Sequence, residues 1–145
     1  MRILLQRVAG TSIRIDGITH STSGRGLLLF VGISVSDDEN VIPYCADKVL
    51  NLRIFEDVHG KMNLSVNDIE GDIAVVSQFT LYADTKKGRR PGFSDSAEPQ
   101  MAKTLFNSFV SELQKSGLRI SEGRFGSHME VNLTNDGPAT FMIEK

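Results

Sequence analysis

DIAVVSQFTLYAD, residues 72–84, is the stretch on which the fold turns. Ile73, Ala74, Val75 and Val76 form an unbroken apolar run, which reads as a buried strand. Ser77, Gln78 and Thr80 then interrupt it, while Phe79, Leu81 and Tyr82 continue it. An unpaired buried amide or hydroxyl costs on the order of 1–3 kcal/mol. Polar side chains crowded at the end of a core strand therefore have two readings. Ser77 and Thr80 bond to nearby backbone and Gln78 faces solvent, or the three belong to a site, where local rules break.

Outward from this strand, Leu27–Ile33 is a second near-continuous apolar run, predicted as a central strand covered on both faces. Before it, Arg2–Val8 reads as a strand, Gly10 as its break and Ser12–Ile15 as another short strand. Asp16-Gly17 is a hairpin signal leading into Ile18–Ser21, and Gly24-Arg25-Gly26 turns the chain again, so residues 1–33 read as a β-meander. Ser36–Asn40 supplies N-caps for a helix from about Asn40 to Leu52, with Tyr44 or Cys45, Val49 and Leu52 facing inward. Asn51–Glu56 and Met62–Ser65 flank a turn. Glu98 and Pro99 open a second helix, on which Met101, Leu105, Phe109 and Leu113 recur every fourth residue and which Gly117 ends. Leu118–Ser121 is a short strand. His128–Leu133, with Met129, Val131 and Leu133 inward, and Ala139–Ile143 flank a turn at Asn135-Asp136-Gly137-Pro138. The pattern is α+β: a single domain over 1–145, a mostly antiparallel, barrel-like sheet and two helices.

Composition narrows the function. The chain of 145 residues is 40% hydrophobic and 23% charged, with a formal net charge of −2. That charge argues against coating nucleic acid by bulk attraction, but leaves room for a local basic patch. The single cysteine, Cys45, excludes an internal disulfide and a cysteine-based metal cluster. The start, MRILLQRVAG, lacks the pattern of a signal peptide, and no window approaches the ~18 apolar residues of a membrane span. The expectation is a cytoplasmic protein with no membrane partner, no metal and no cofactor. There is no GxGxxG, Walker A, HExxH or GxSxG. His20, His59 and His128 are spread along the chain, so a hydrolase here would not use a standard triad.

Three features remain: Ser77-Gln78-Phe79-Thr80, the loop Lys86-Lys87-Gly88-Arg89-Arg90 and Asn135-Asp136-Gly137-Pro138. The loop is either a solvated turn or a clamp on a phosphate backbone, which Arg and Lys can position without reading sequence. The Gly-Pro pair is either a turn or a bond placed for a reason.

Together these blocks resemble the bacterial-type D-aminoacyl-tRNA deacylases, also called D-tyrosyl-tRNA deacylases. The likeness runs nearly end to end through MRILLQRV, NLRIFED, GKMNLS, SQFTLYADTKKGRRPGF, GRFG and NDGPATF. Ala139, Ser127-His128 and Gly92 depart from the pattern. The resemblance implies a carboxylic ester hydrolase that frees tRNA from a D-amino acid, or from glycine, and spares L-aminoacyl-tRNA. It implies aminoacyl-tRNA as substrate and a homodimer with each site at the subunit interface. Gly137-Pro138 would be a cis peptide entering the partner's pocket, where its carbonyls fill the space of an L side chain. The Gln78 amide and the Phe79 N–H would form the oxyanion hole. Thr80 as nucleophile and a water helped by the ribose 2′-OH both stay open. Ser77 would hold the strand or the substrate, and Phe125 would stack on the terminal adenine or pack in the core. Lys86, Lys87, Arg89 and Arg90 would meet the tRNA backbone. An editing domain for an L-amino acid and a non-catalytic RNA-binding module are the rival readings.

Overall fold

The computed structural model describes residues 1–145. A long hairpin begins it. β1 (Arg2–Ile15) runs to Asp16 and Gly17, whose φ values of 53° and 76° are the two left-handed positions of a tight hairpin turn. The return arm is two collinear strands, β2 (Ile18–Ser23) and β3 (Gly26–Gly32). β2 pairs with Thr11–Ile15 and β3 with Arg2–Val8, so both lie along one edge of β1. The expected meander is therefore corrected, because β2 and β3 do not pair with each other. Gly10 does not break β1 either. It is held in the ladder opposite Thr134 of β8 (Glu130–Glu144), which covers the other edge of β1.

β6 (Asp72–Ser77) joins β3 in parallel, and β7 (Ile120–Glu122) joins β6 in parallel. The order β2-β1-β3-β6-β7, with β8 on β1, is thus mixed, with antiparallel pairs on one side and parallel pairs on the other. Parallel strands at the centre of a sheet are covered on both faces, which explains the apolar runs of β3 and β6. Leu27, Leu29, Val31, Ile73 and Val75 point into the larger core, while Leu28, Ala74 and Val76 join a smaller one on the opposite face. A separate ribbon pairs β4 (Phe55–Glu56) with β5 (Met62–Leu64), shorter than the strand expected over 51–56.

Two helices cover the larger core. α1 (Val41–Asn51) buries Ile42, Cys45, Ala46 and Val49, while Tyr44 stays exposed. α2 (Pro99–Gln114) starts at its proline, as the sequence predicts, and buries Leu105, Phe109 and Leu113 at every fourth position. Met101, on the same row, lies at the rim. Leu133 is exposed rather than inward, because only Met129 and Val131 of that stretch reach the smaller core. No helix is long and apolar enough to cross a membrane.

Candidate active site

β6 ends at Ser77, opposite Val31 of β3. One more bond, from the Gln78 N–H to the Val31 carbonyl at 2.8 Å, completes the ladder. β3 stops at Gly32, so no strand remains to pair with residues 79–82. Phe79–Tyr82 accordingly folds into a short 3₁₀ turn instead of continuing the strand, which corrects the reading of Leu81 and Tyr82 as strand residues. Phe79 opens this turn, and the first N–H groups of a helical turn have no partner within it. The Gln78 Nε2 donates to Thr80 Oγ1 at 2.5 Å. That contact offers the Thr80 hydroxyl a donor and not a base, so it does not activate Thr80 as a nucleophile.

Ser77, Gln78 and Phe79 form one wall of a cavity of about 660 Å³ at the C-terminal ends of parallel β3 and β6. Open sheets with parallel strands place ligands at that end. Phe93 meets Phe79 edge to face at 4.9 Å on the same side. Phe125 lines the cavity too, 6.0 Å from the buried Phe106, so it serves as wall and as core contact at once. His128 also lines it. Mostly apolar walls with a few polar groups are the usual make-up of a small-molecule site. A more open groove of about 710 Å³ lies by the end of α2, but its cations are already matched: Lys115 with Glu112 and Arg119 with Asp72.

Gly137 and Pro138 do not line this cavity. They are exposed on β8, and the bond between them is cis. The expected turn at 135–138 is a bulge inside one strand, since Asn135 pairs with Val8 and Thr140 with Gln6. Two residues hold the bulge. Asn135 Nδ2 donates to the Ala139 carbonyl at 3.1 Å, and its Oδ1 accepts from the Ala139 N–H at 3.2 Å. Arg7, buried, donates from Nε to the Asp136 carbonyl at 2.8 Å and from Nη1 to the Ile54 carbonyl at 2.6 Å. Sequence reasoning missed Arg7. The signal was present, because Ile3, Leu5 and Arg7 share one face of β1 and a guanidinium among them requires partners.

Lys86, Lys87, Arg89 and Arg90 are exposed and make no ion pair. Their loop is closed at its base by paired backbone bonds between Asp84 and Gly92, at 2.8 and 2.9 Å. Phe93 comes directly after, so the loop hangs from the rim of the cavity.

Tyr82, half-buried in the 3₁₀ turn, has its phenol pushed up to about 12, first by burial and then by the negative charge of Asp37. The folded state therefore holds a proton that the unfolded chain, with an ordinary value of 10.0, releases earlier. Stability falls as the pH rises from 10 towards 12, and Tyr82→Phe is expected to flatten that fall in a series of denaturant titrations.

The profile of the family described as D-Tyr-tRNA(Tyr) deacylase matches residues 4–144. A D-aminoacyl-tRNA deacylase of an Exiguobacterium species is 50% identical over 145 residues, covering 100% of this chain and 99% of that protein. The D-aminoacyl-tRNA deacylase of Thermosipho africanus is 46% identical over 144 residues, covering 99% and 97%. Among solved structures, the c-Myc DNA unwinding element binding protein superposes with a TM-score of 0.94 at 38% identity, covering 100% of this chain and 99% of its own. A probable eukaryotic D-amino acid tRNA deacylase, at 17% identity and TM-score 0.88 over 98% and 97%, shares the fold. With Ser77-Gln78-Phe79 on a cavity at the sheet's parallel end, and with likeness over almost every residue, the chain belongs to the D-Tyr-tRNA(Tyr) deacylase family, whose named members are hydrolases of the ester that joins an amino acid to tRNA.

Proposed function

We propose that this protein proofreads the chirality of aminoacyl-tRNA in the cytoplasm, hydrolysing D-aminoacyl and glycyl esters and sparing L-aminoacyl esters. One observation carries the reading: where β6 ends, an amide side chain and the residue that opens a helical turn line one mostly apolar cavity. Ester hydrolysis passes through a tetrahedral oxyanion, and fixed donors aimed at it are usually the largest single contribution to catalysis. Gln78 and Phe79 supply them. Thr80 fixes the Gln78 amide through the bond they share, and a water, helped by the substrate's own 2′-OH, attacks the ester carbon. Ser77 holds the end of the strand and Phe125 offers its ring to the terminal adenine.

D and L substrates differ only in where Cβ points, so a fixed obstacle rejects L more strongly than extra contacts favour D. Gly137-Pro138 is that obstacle, presented to the cavity of a second copy. Its exposure away from its own cavity, and its support by Arg7 and Asn135, favour this arrangement. The outer edge of β8 is unpaired and carries exposed Met142 and Leu133, which suits a homodimer. Glycine has no Cβ and passes the filter. Lys86, Lys87, Arg89 and Arg90 hold the tRNA backbone at the rim.

A deacylation assay on matched D-tyrosyl-, L-tyrosyl- and glycyl-tRNA tests the whole. Release from D and glycine with L intact is expected. Equal release from L would remove the filter. Binding without release from any of the three would make the chain an RNA-binding module.

A further inference from the structure

The turn that carries Phe79 is four residues long, and none of its side chains is buried. A single 3₁₀ turn has poor hydrogen-bond geometry and cannot hold its own position. Something outside it must decide where the Phe79 N–H and the Gln78 amide point.

Three supports are visible. The first is the bond from the Gln78 N–H to Val31, which anchors the entry of the turn. The second is a bare seat at Gly32. A Cβ there would stand 3.1 Å from the Gln78 carbonyl oxygen, 3.1 Å from Leu81 Cβ and 3.2 Å from Tyr82 Cδ2. A side chain at this position would push the turn outward by a few tenths of an ångström. The third lies beside Gly32, since Arg2 of β1 is its cross-strand partner. Arg2 donates from Nη1 to the Leu81 carbonyl at 2.9 Å, and its guanidinium lies 4.5 Å from the centre of the Tyr82 ring. On its other side Arg2 pairs from Nε with Glu144 of β8 at 2.6 Å. One planar cation thus grips the exit of the turn by its carbonyl and its ring, and is itself braced by a neighbouring strand.

We propose that Arg2 is a positioning residue of the deacylase site, fixing the Gln78–Phe79 donors from behind through Leu81 and Tyr82. The inference rests on the reading of Gln78 and Phe79 as oxyanion donors. It adds that their aim depends on a side chain on β1 whose contacts are with the far end of the turn. Nothing in the composition of MRILLQRV marks this arginine apart from the surface cations, and only the cross-strand position opposite Gly32 brings it to the turn.

The test compares Arg2→Met, Arg2→Lys and Gln78→Ala in single-turnover and steady-state assays on D-tyrosyl-tRNA. Loss of aim, with the donors still present, is expected to lower kcat about tenfold in Arg2→Met and leave KM unchanged. Arg2→Lys keeps a cation near Glu144 and Tyr82 but lacks the planar fork, so partial recovery of kcat is expected. If Arg2→Met does not fold, Arg2→Lys carries the decision alone: a kcat equal to wild type would overturn the proposal. So would Arg2→Met with wild-type kcat, or with kcat and KM altered only in step with the unfolded fraction. An undiminished Gln78→Ala enzyme would instead sink the oxyanion reading itself, so the two failures are told apart in one experiment.

Discussion

Gln78→Ala is expected to lower the rate of ester cleavage about 10²–10³-fold, the cost of losing one oxyanion donor elsewhere. The side chain is well suited to such a test. It lies beyond the last strand residue, half-buried, and its amide bonds only to Thr80, so its removal leaves the sheet and both cores untouched. The loss should fall on kcat, because an oxyanion exists in the transition state and not in the bound ester. Gln78→Glu offers a sharper comparison, replacing a donor by an acceptor in nearly the same volume, and should be at least as slow. A stopped time course of D-tyrosyl-tRNA decay at saturating enzyme reads the effect directly. Full activity in Gln78→Ala would overturn the reading of Gln78 and Phe79 as the oxyanion donors.

Arg7→Met is expected to have the second large effect, and on two observables at once. Arg7 is 6% exposed, and its guanidinium satisfies the carbonyls of Asp136 and Ile54. Methionine fills similar space but leaves both carbonyls without a donor. Hydrogen bonds to a charged group contribute roughly 1.5–3 kcal/mol, so a loss of about 3 kcal/mol in unfolding free energy is expected. The ion pair to Asp136, at 3.4 Å and with the carboxylate half in solvent, adds little. The second observable is selectivity. Without Arg7 the bulge at 135–139 keeps only the Asn135 bonds, and the proposed obstacle to L substrates slackens. The ratio of D to L deacylation should fall about tenfold or more. A variant that loses stability but keeps its D/L ratio would confine Arg7 to the fold.

Local chemistry made much of the chain readable. Asp16-Gly17 announces its turn because few residues tolerate two positive φ angles in succession. Pro99 announces the first turn of α2 because its missing N–H is no loss there. The apolar run 73–76 announces a strand buried on both faces. What escaped the sequence depends on residues far apart. Whether Gly24-Arg25 turns the chain back or lets it run straight on depends on β1 being long enough to hold both β2 and β3. Leu81 and Tyr82 look like strand residues until β3 ends at Gly32 and offers them no ladder. Asn135–Pro138 has the composition of a turn, and only β1 running past it on one side makes it a bulge. At the site, Ser77, Gln78, Phe79, Thr80 and Phe125 stand out in the sequence, and all of them but Thr80 line one cavity. Arg2 and Arg7 do not stand out, because their partners lie 79 and 129 positions away.

The pairing of β1 with β8 also bears on how the molecule is made. Residues 2–15 leave the ribosome well before the strand that covers their outer edge, 130–144. Until then β1 can form its hairpin with β2 and β3, but one edge lies open to any passing strand. At about 5–20 residues per second that exposure lasts many seconds. Sheets that join segments far apart in a chain also fold slowly, since the whole intervening loop must close before the pairing is rewarded. A nascent chain halted before residue 130 would hold Gln78 and Phe79 yet lack β8, with Asn135 and the bulge it braces. With the roles proposed for these residues, the chemistry would then be on hand before the means of discrimination, so selectivity would be acquired after activity.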